Sequence, residues 1–223
     1  MIRTIPYPHI IWDNFLDTKT LNTVRSEFPN QDSDFWTWKS NDENSIKYMC
    51  QDRIVIEKLT GINKLIKYLN SSFFCRILSG MFEIPNLVSD GDLAGGGLHL
   101  IVNGGFLKVH ADFNQSDKKP DYHRRLNLIL YLSDEWKDSY NGNLELWNTD
   151  LTKAEVKIEP ISNRMICFNT QPDGDVIAYH GHPKPLNVPE NIYRKSIDLY
   201  YYSKEKPNNI LSDKHKTLYK DTL

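Results

Sequence analysis

From Gly95 to about residue 203 the chain is built of short β-type runs closed by turn residues, with no helix-like segment between them. Eight runs qualify: 98–102, 107–112, 126–132, 144–147, 156–158, 164–169, 176–180 and 194–202. Their breaks are made of turn-forming residues, among them Asn103-Gly104-Gly105, Asn141-Gly142, Pro160, Pro172-Asp173-Gly174 and Pro183 to Pro189. Parallel strands need crossovers of a dozen residues or more, usually helical. Eight strands of this style therefore fit a double-sheet jelly roll better than a parallel α/β sheet.

The first 94 residues read differently, as a mainly helical part. Residues 17–28 carry an apolar stripe of Leu16, Leu21, Val24 and Phe28 at helical spacing. Two further helical patterns follow, one capped by Thr60 and one by Ser71 or Ser72. Pro8 to Trp12 reads as a short strand, and the polar, aromatic stretch 30–51 as a long loop. The expected fold is α+β: a double-stranded β-helix core, cupin-like, over residues 95–203, with the N-terminal helices packed on one sheet. The lysine-rich residues 204–223 read as a C-terminal extension, a helix or an arm, of the same single domain.

The 27 basic and 29 acidic side chains nearly cancel. Without a positive field to hold a polyphosphate backbone, nucleic acid is not an expected partner. No run of about 18 apolar residues occurs, so no membrane partner is expected. The three cysteines, none in a C-x-x-C pair, read as reduced thiols in a cytoplasmic protein.

Chemistry concentrates in three places. His110 and Asp112 stand two apart in a strand, so their side chains leave one face. A second cluster, Tyr179-His180-Gly181-His182-Pro183, follows at a later strand end and offers either His180 or His182 as a partner. Two imidazoles and one carboxylate on one face of a metal leave three positions open, the arrangement a bidentate 2-oxoacid and dioxygen need at non-haem iron(II). The last strand alternates Arg194, Ser196, Asp198 and Tyr200 onto one face. A guanidinium fork beside a hydroxyl suits the far carboxylate of a dicarboxylic cosubstrate.

In order and spacing, H-x-D, R-L-N-L-I-L-Y-L, N-G-N-L-E-L-W, Y-H-G-H-P and R-K-S-I-D-L-Y-Y-Y resemble the prolyl-4-hydroxylase-like family of iron(II)/2-oxoglutarate oxygenases, over residues 95 to 203. The resemblance implies iron ligands His110, Asp112 and His180. Arg194 and Ser196 would hold the cosubstrate with help from Tyr131, and Lys195 would point away. Fe(II), 2-oxoglutarate and O2 would be the cofactors, with ascorbate as the reductant. The implied activity is hydroxylation of an unactivated C–H bond with release of succinate and CO2, the substrate being a prolyl residue of a peptide or protein. A free amino acid or other small metabolite is the alternative substrate, and a non-oxidative cupin-type metal protein the alternative class.

Two positions depart from the family. Near Leu100 a polar or tyrosine side chain often reaches the cosubstrate, and here the polar residue is His99, on the other strand face. Asp198 places a charge where small or hydroxyl residues are commoner, and it is expected to touch substrate or an iron-bound water. Trp147, Tyr122 and the Phe35 to Trp38 segment are further candidates for the substrate rim, and the polar loop 113–124 for a lid. Alanine at His110 or Asp112 is expected to abolish iron binding while leaving folding nearly intact.

Overall fold

The computed structural model describes residues 1–221. Two antiparallel sheets face each other. The larger contains β1 (His9–Trp12), β2 (Trp38–Asn41), β3 (Ile46–Cys50), β4 (Val88–Ser89), β5 (Gly97–Ile101), β7 (His123–Tyr131), β10 (Met165–Asn169) and β12 (Arg194–Ser203). The smaller contains β6 (Leu107–Ala111), β8 (Leu144–Trp147), β9 (Ala154–Ile158), β11 (His180–His182) and β13 (Leu218–Lys220). Their orders are β1-β10-β7-β12-β5-β3-β2, with β4 beside the far end of β12, and β13-β6-β11-β8-β9. This is the expected jelly-roll core within an α+β fold.

The motif R-L-N-L-I-L-Y-L explains how the layers separate. In β7 the even residues Leu126, Leu128 and Leu130 join one buried cluster with the helices, while Ile129 and Tyr131 join another with Leu144, Leu146 and Phe168 between the sheets. β12 divides in the same way: Ile197, Leu199 and Tyr201 lie on the helical side, so Arg194, Ser196, Asp198 and Tyr200 face inward.

The helices α1 (Thr18–Glu27), α2 (Arg53–Ile56), α3 (Thr60–Leu69) and α4 (Ser72–Phe82) cover the outer face of the large sheet. Asp17 and Ser71 cap α1 and α4 by accepting from backbone amides. Thr60, expected as a cap, is instead the first residue of α3. The orphan amides of Gly61 and Ile62 are met by the Glu27 carboxylate, reaching from the end of α1 at 2.8–2.9 Å. The segment 30–51, read as a loop, supplies the β2–β3 hairpin, whose pairing with β5 extends the large sheet. The C-terminal extension is an arm ending in β13, which pairs with β6.

Leu128 is fully buried where α-helical and sheet side chains meet. Leu128→Ala is expected to lower stability by about 2–5 kcal/mol, read by urea unfolding. Ile54→Ala, at a side chain 75% exposed, is expected to stay within about 0.5 kcal/mol.

Candidate metal centre

The two histidine segments meet because β11 lies beside β6, with His180 directly opposite His110 in the register. Gly181 permits this closeness: a Cβ there would lie 2.7 Å from the Lys108 carbonyl oxygen. The imidazole centroids of His110 and His180 are 4.4 Å apart. His110 Nε2 lies 3.4 Å from one oxygen of Asp112, and His180 Nε2 lies 3.5 Å from the other. One donor atom from each of the three residues falls within 4.8 Å of the others.

The tautomers suit a metal. His110 Nδ1 is 2.8 Å from the Lys108 carbonyl and His180 Nδ1 is 3.0 Å from the Ala178 carbonyl. A carbonyl only accepts, so each Nδ1 carries a proton and each Nε2 is the ring atom turned toward Asp112. Burial holds the His180 pKa down to about 4 against the opposing pull of Asp112, so the ring is neutral at physiological pH. Burial would raise the Asp112 pKa, but Arg124, His180 and His110 together hold it well below the usual carboxylate range. Two imidazole nitrogens and one carboxylate fit a divalent iron with an open face.

Arg124 is the most consequential residue that the sequence did not reveal. Its guanidinium lies 2.8 Å from Asp112, is almost wholly buried, and stacks on Tyr200 at 3.4 Å and Phe113 at 4.6 Å from the ring centres. Asn127 Nδ2 approaches the same Asp112 oxygen at 3.4 Å. Strand parity alone would have chosen Arg125, since Asn127, Ile129 and Tyr131 share the inner face. An irregularity in the β7–β12 register, where Tyr201 meets Leu126 but Tyr202 meets Arg124, turns Arg124 inward instead.

At the other end of the cavity, Arg194 Nε donates to the Gly142 carbonyl at 2.9 Å and Nη2 lies 3.1 Å from the Tyr131 hydroxyl. That carbonyl is presented by the Asn141-Gly142 turn, both residues having positive φ, 61° and 73°. Ser196 pairs with Tyr131 across the sheet, and among the described residues its buried hydroxyl has no hydrogen-bond partner. Burial raises the Tyr131 pKa to about 12, against Arg194, so its hydroxyl is a donor. A guanidinium and two hydroxyls at one end, one of them unpartnered, fit the far carboxylate of 2-oxoglutarate.

A cavity of about 160 Å³ joins the two ends, lined by His110, Asp112, His180 and Arg194 and also by Lys47, His99, His182 and Asp198. His99 belongs to this face because Leu98 and Leu100 turn toward the helices; the face expected to carry a cosubstrate contact at Leu100 is covered by them. Lys195 points away, 3.7 Å from Asp134. His182 is buried and lines the same cavity outside the convergent trio, and among the described residues both of its ring nitrogens lack a hydrogen-bond partner.

Trp147 and Tyr122, expected at the substrate rim, lie elsewhere. Trp147 packs with Val109, Ala111 and Tyr179, its indole donating to Glu145 at 3.1 Å. Tyr122 lines a separate surface crevice with Ser116, Lys119 and Tyr202. Trp36 is buried on the helical side against Phe28 and Tyr48. From the loop after the ligand strand only Phe113 reaches the cavity, because Asn114 is tied by its amide to the Leu211 and Asp213 carbonyls of the C-terminal arm.

Residues 96–202, the segment holding the convergent trio together with Arg124, Tyr131, Arg194 and Ser196, match the sequence model of the 2OG-Fe(II) oxygenase superfamily. The matched segment is just under half of the chain and contains the whole convergent trio. That superfamily implies Fe(II), 2-oxoglutarate and O2 as the groups for such a site, and the donor set described above fits them. Its fold resembles a prolyl-4-hydroxylase of Pseudomonas putida, with TM-score 0.58 at 14% identity, covering 87% of this chain and 90% of that one. A prolyl 4-hydroxylase of Phytophthora capsici superposes with TM-score 0.59 at 16% identity, covering 91% of this chain and 60% of that one. A prolyl hydroxylase of Trichoplax adhaerens, solved with a peptide fragment of the oxygen degradation domain of hypoxia inducible factor, gives TM-score 0.52 at 19% identity, covering 87% and 83%. These likenesses are likenesses of fold. Among the described residues no helix is long and apolar enough to cross a membrane.

Proposed function

We propose that this protein is an oxygenase that hydroxylates an unactivated C–H bond, with His110, Asp112 and His180 as the iron ligands and Arg194, Ser196 and Tyr131 as the seat of the 2-oxoglutarate far carboxylate. The observation that carries the reading is the convergence of the two imidazoles and one carboxylate within 4.8 Å. When bound, iron and 2-oxoglutarate would supply the oxygen chemistry, with succinate and CO2 as coproducts and ascorbate as the external reductant.

The protein's own part is positional. Carbonyls of Lys108 and Ala178 orient the two rings, Arg124 fixes the Asp112 carboxylate, and the Arg194 fork sets the cosubstrate's distance from the metal. Asp112 itself favours hydroxylation over halogenation, because a ligand carboxylate occupies the position a halide would otherwise take.

For the substrate, a prolyl residue of a peptide is supported by the fold shared with the prolyl hydroxylases. A free amino acid or other small metabolite is supported by the polar groups of the cavity wall, the buried His99 and Asp198 together with Lys47, which a neutral prolyl ring would not complement.

Anaerobic titration of the protein with Fe(II) and then 2-oxoglutarate is expected to give one metal equivalent bound and a visible metal-to-ligand charge-transfer band. Metal binding without that band would favour a non-oxidative metal protein instead.

A further inference from the structure

Beyond the metal ligands and the cosubstrate seat, the cavity wall holds a second polar pair. His99 on β5 and Asp198 on β12 come from neighbouring strands, and His99 Nδ1 lies 3.3 Å from Asp198 Oδ2. A carboxylate accepts, so Nδ1 carries the proton. Burial lowers the His99 pKa to about 4 in spite of Asp198, so the ring is neutral and Nε2 is a bare acceptor. Among the described residues neither His99 Nε2 nor Asp198 Oδ1 has a hydrogen-bond partner, although the two residues are only 5% and 8% exposed. Two buried acceptors therefore share one wall of the cavity and lack a donor. Buried acceptors are costly to leave unpaired, and a ligand group with several N–H bonds would satisfy both.

Lys47, from the hairpin strand β3, lines the same cavity, and Asp198 and Asp112 oppose the lowering of its pKa by burial. The wall thus offers acceptors beside a cation. One flank is closed to an extended chain: the edge of β6 that would otherwise be free is taken by β13, with Tyr219 opposite His110 and its ring 5.5 Å from the imidazole.

Resting on the hydroxylase reading, we propose that Asp198 and His99 are the substrate-recognition pair and that they select a small molecule bearing a protonated amine, of the free amino-acid class, with Lys47 facing its carboxylate. A prolyl residue within a peptide has no N–H and no charge, so it would leave both acceptors and the lysine without complements. An ammonium and a carboxylate on one small molecule satisfy all three. Asp198, the charge that departs from the family pattern, thereby acquires a role in choosing substrate.

The test uses the anaerobic Fe(II) and 2-oxoglutarate complex. The twenty free L-amino acids, one at a time, and an Ala-Pro-Ala peptide blocked at both ends are added while the charge-transfer band is followed. Succinate is measured after oxygen is admitted. At least one free amino acid is expected to shift the band and couple succinate release, and the blocked peptide is not. Asp198→Asn should weaken that amino acid about 10- to 100-fold, and Lys47→Met should weaken it as well. In both variants the band itself should form at the same 2-oxoglutarate concentration, which also shows that they fold. A response to the peptide alone, no response to any free amino acid, or equal affinity in Asp198→Asn would overturn the proposal while the intact band leaves the hydroxylase reading standing. Failure of the unsubstituted protein to form the band would sink both.

Discussion

Asp112→Ala is expected to abolish iron binding and turnover and also to lower stability by about 3–5 kcal/mol. The second effect comes from Arg124. Its side chain is 1% exposed and 2.8 Å from the Asp112 carboxylate. Its other close neighbours, the rings of Tyr200 and Phe113, stack on it without neutralising its charge. Removing the carboxylate strands a guanidinium in the interior. His180→Ala separates the two effects, because it removes a neutral ring. Iron should again be lost, but stability should fall only by the packing given up beside Phe168, whose ring centre is 4.7 Å away. Urea unfolding of the metal-free proteins and anaerobic iron titration read the two quantities independently. Unchanged stability in Asp112→Ala would show that the ion pair does not hold the site together. The structure thus revises the expectation that alanine at Asp112 leaves folding nearly intact.

Arg194→Ala should raise the 2-oxoglutarate requirement about 10- to 100-fold, the loss of one or two charge-assisted hydrogen bonds worth about 1.5–3 kcal/mol. Iron binding should be unaffected. The guanidinium is held on one side by Gly142 and Tyr131, at 2.9 and 3.1 Å, and so is already oriented before any ligand arrives. Pre-orientation lowers the entropy cost of binding. Arg194→Lys should not restore it, since an ammonium has neither the fork nor the reach to Tyr131 in the same pose. A steady-state 2-oxoglutarate dependence checks this, paired with the charge-transfer titration. An unchanged requirement would move the anchor to another nitrogen-bearing group of the cavity, such as Lys47 or His182.

Much of the core was legible in the chain because it depends on periodicity. Leu126, Leu128 and Leu130 alternate with Asn127, Ile129 and Tyr131 in a strand, and a period of two assigns faces without knowledge of the partner strands. The same rule put Arg194, Ser196, Asp198 and Tyr200 inward. It failed at Arg124 and Arg125, where a single irregular pairing exchanges the two faces. It also could not find the β2–β3 hairpin. Trp38 to Cys50 is too polar to read as core, and it is a strand pair because β5 offers it an edge.

The amino-acid sequence by itself determined which groups could carry chemistry, namely the H-x-D pair, the downstream histidines and the Arg194 strand, since residue type and strand parity are local properties. Which of them meet was decided only by the tertiary structure. The pairing of β6 with β11 sets His180 rather than His182 opposite His110. The burial of Arg124 against Asp112, and the facing of His99 toward Asp198, follow from how separate strands are brought side by side. Such contacts depend on register between segments distant in the chain, and no local pattern of residues encodes that register.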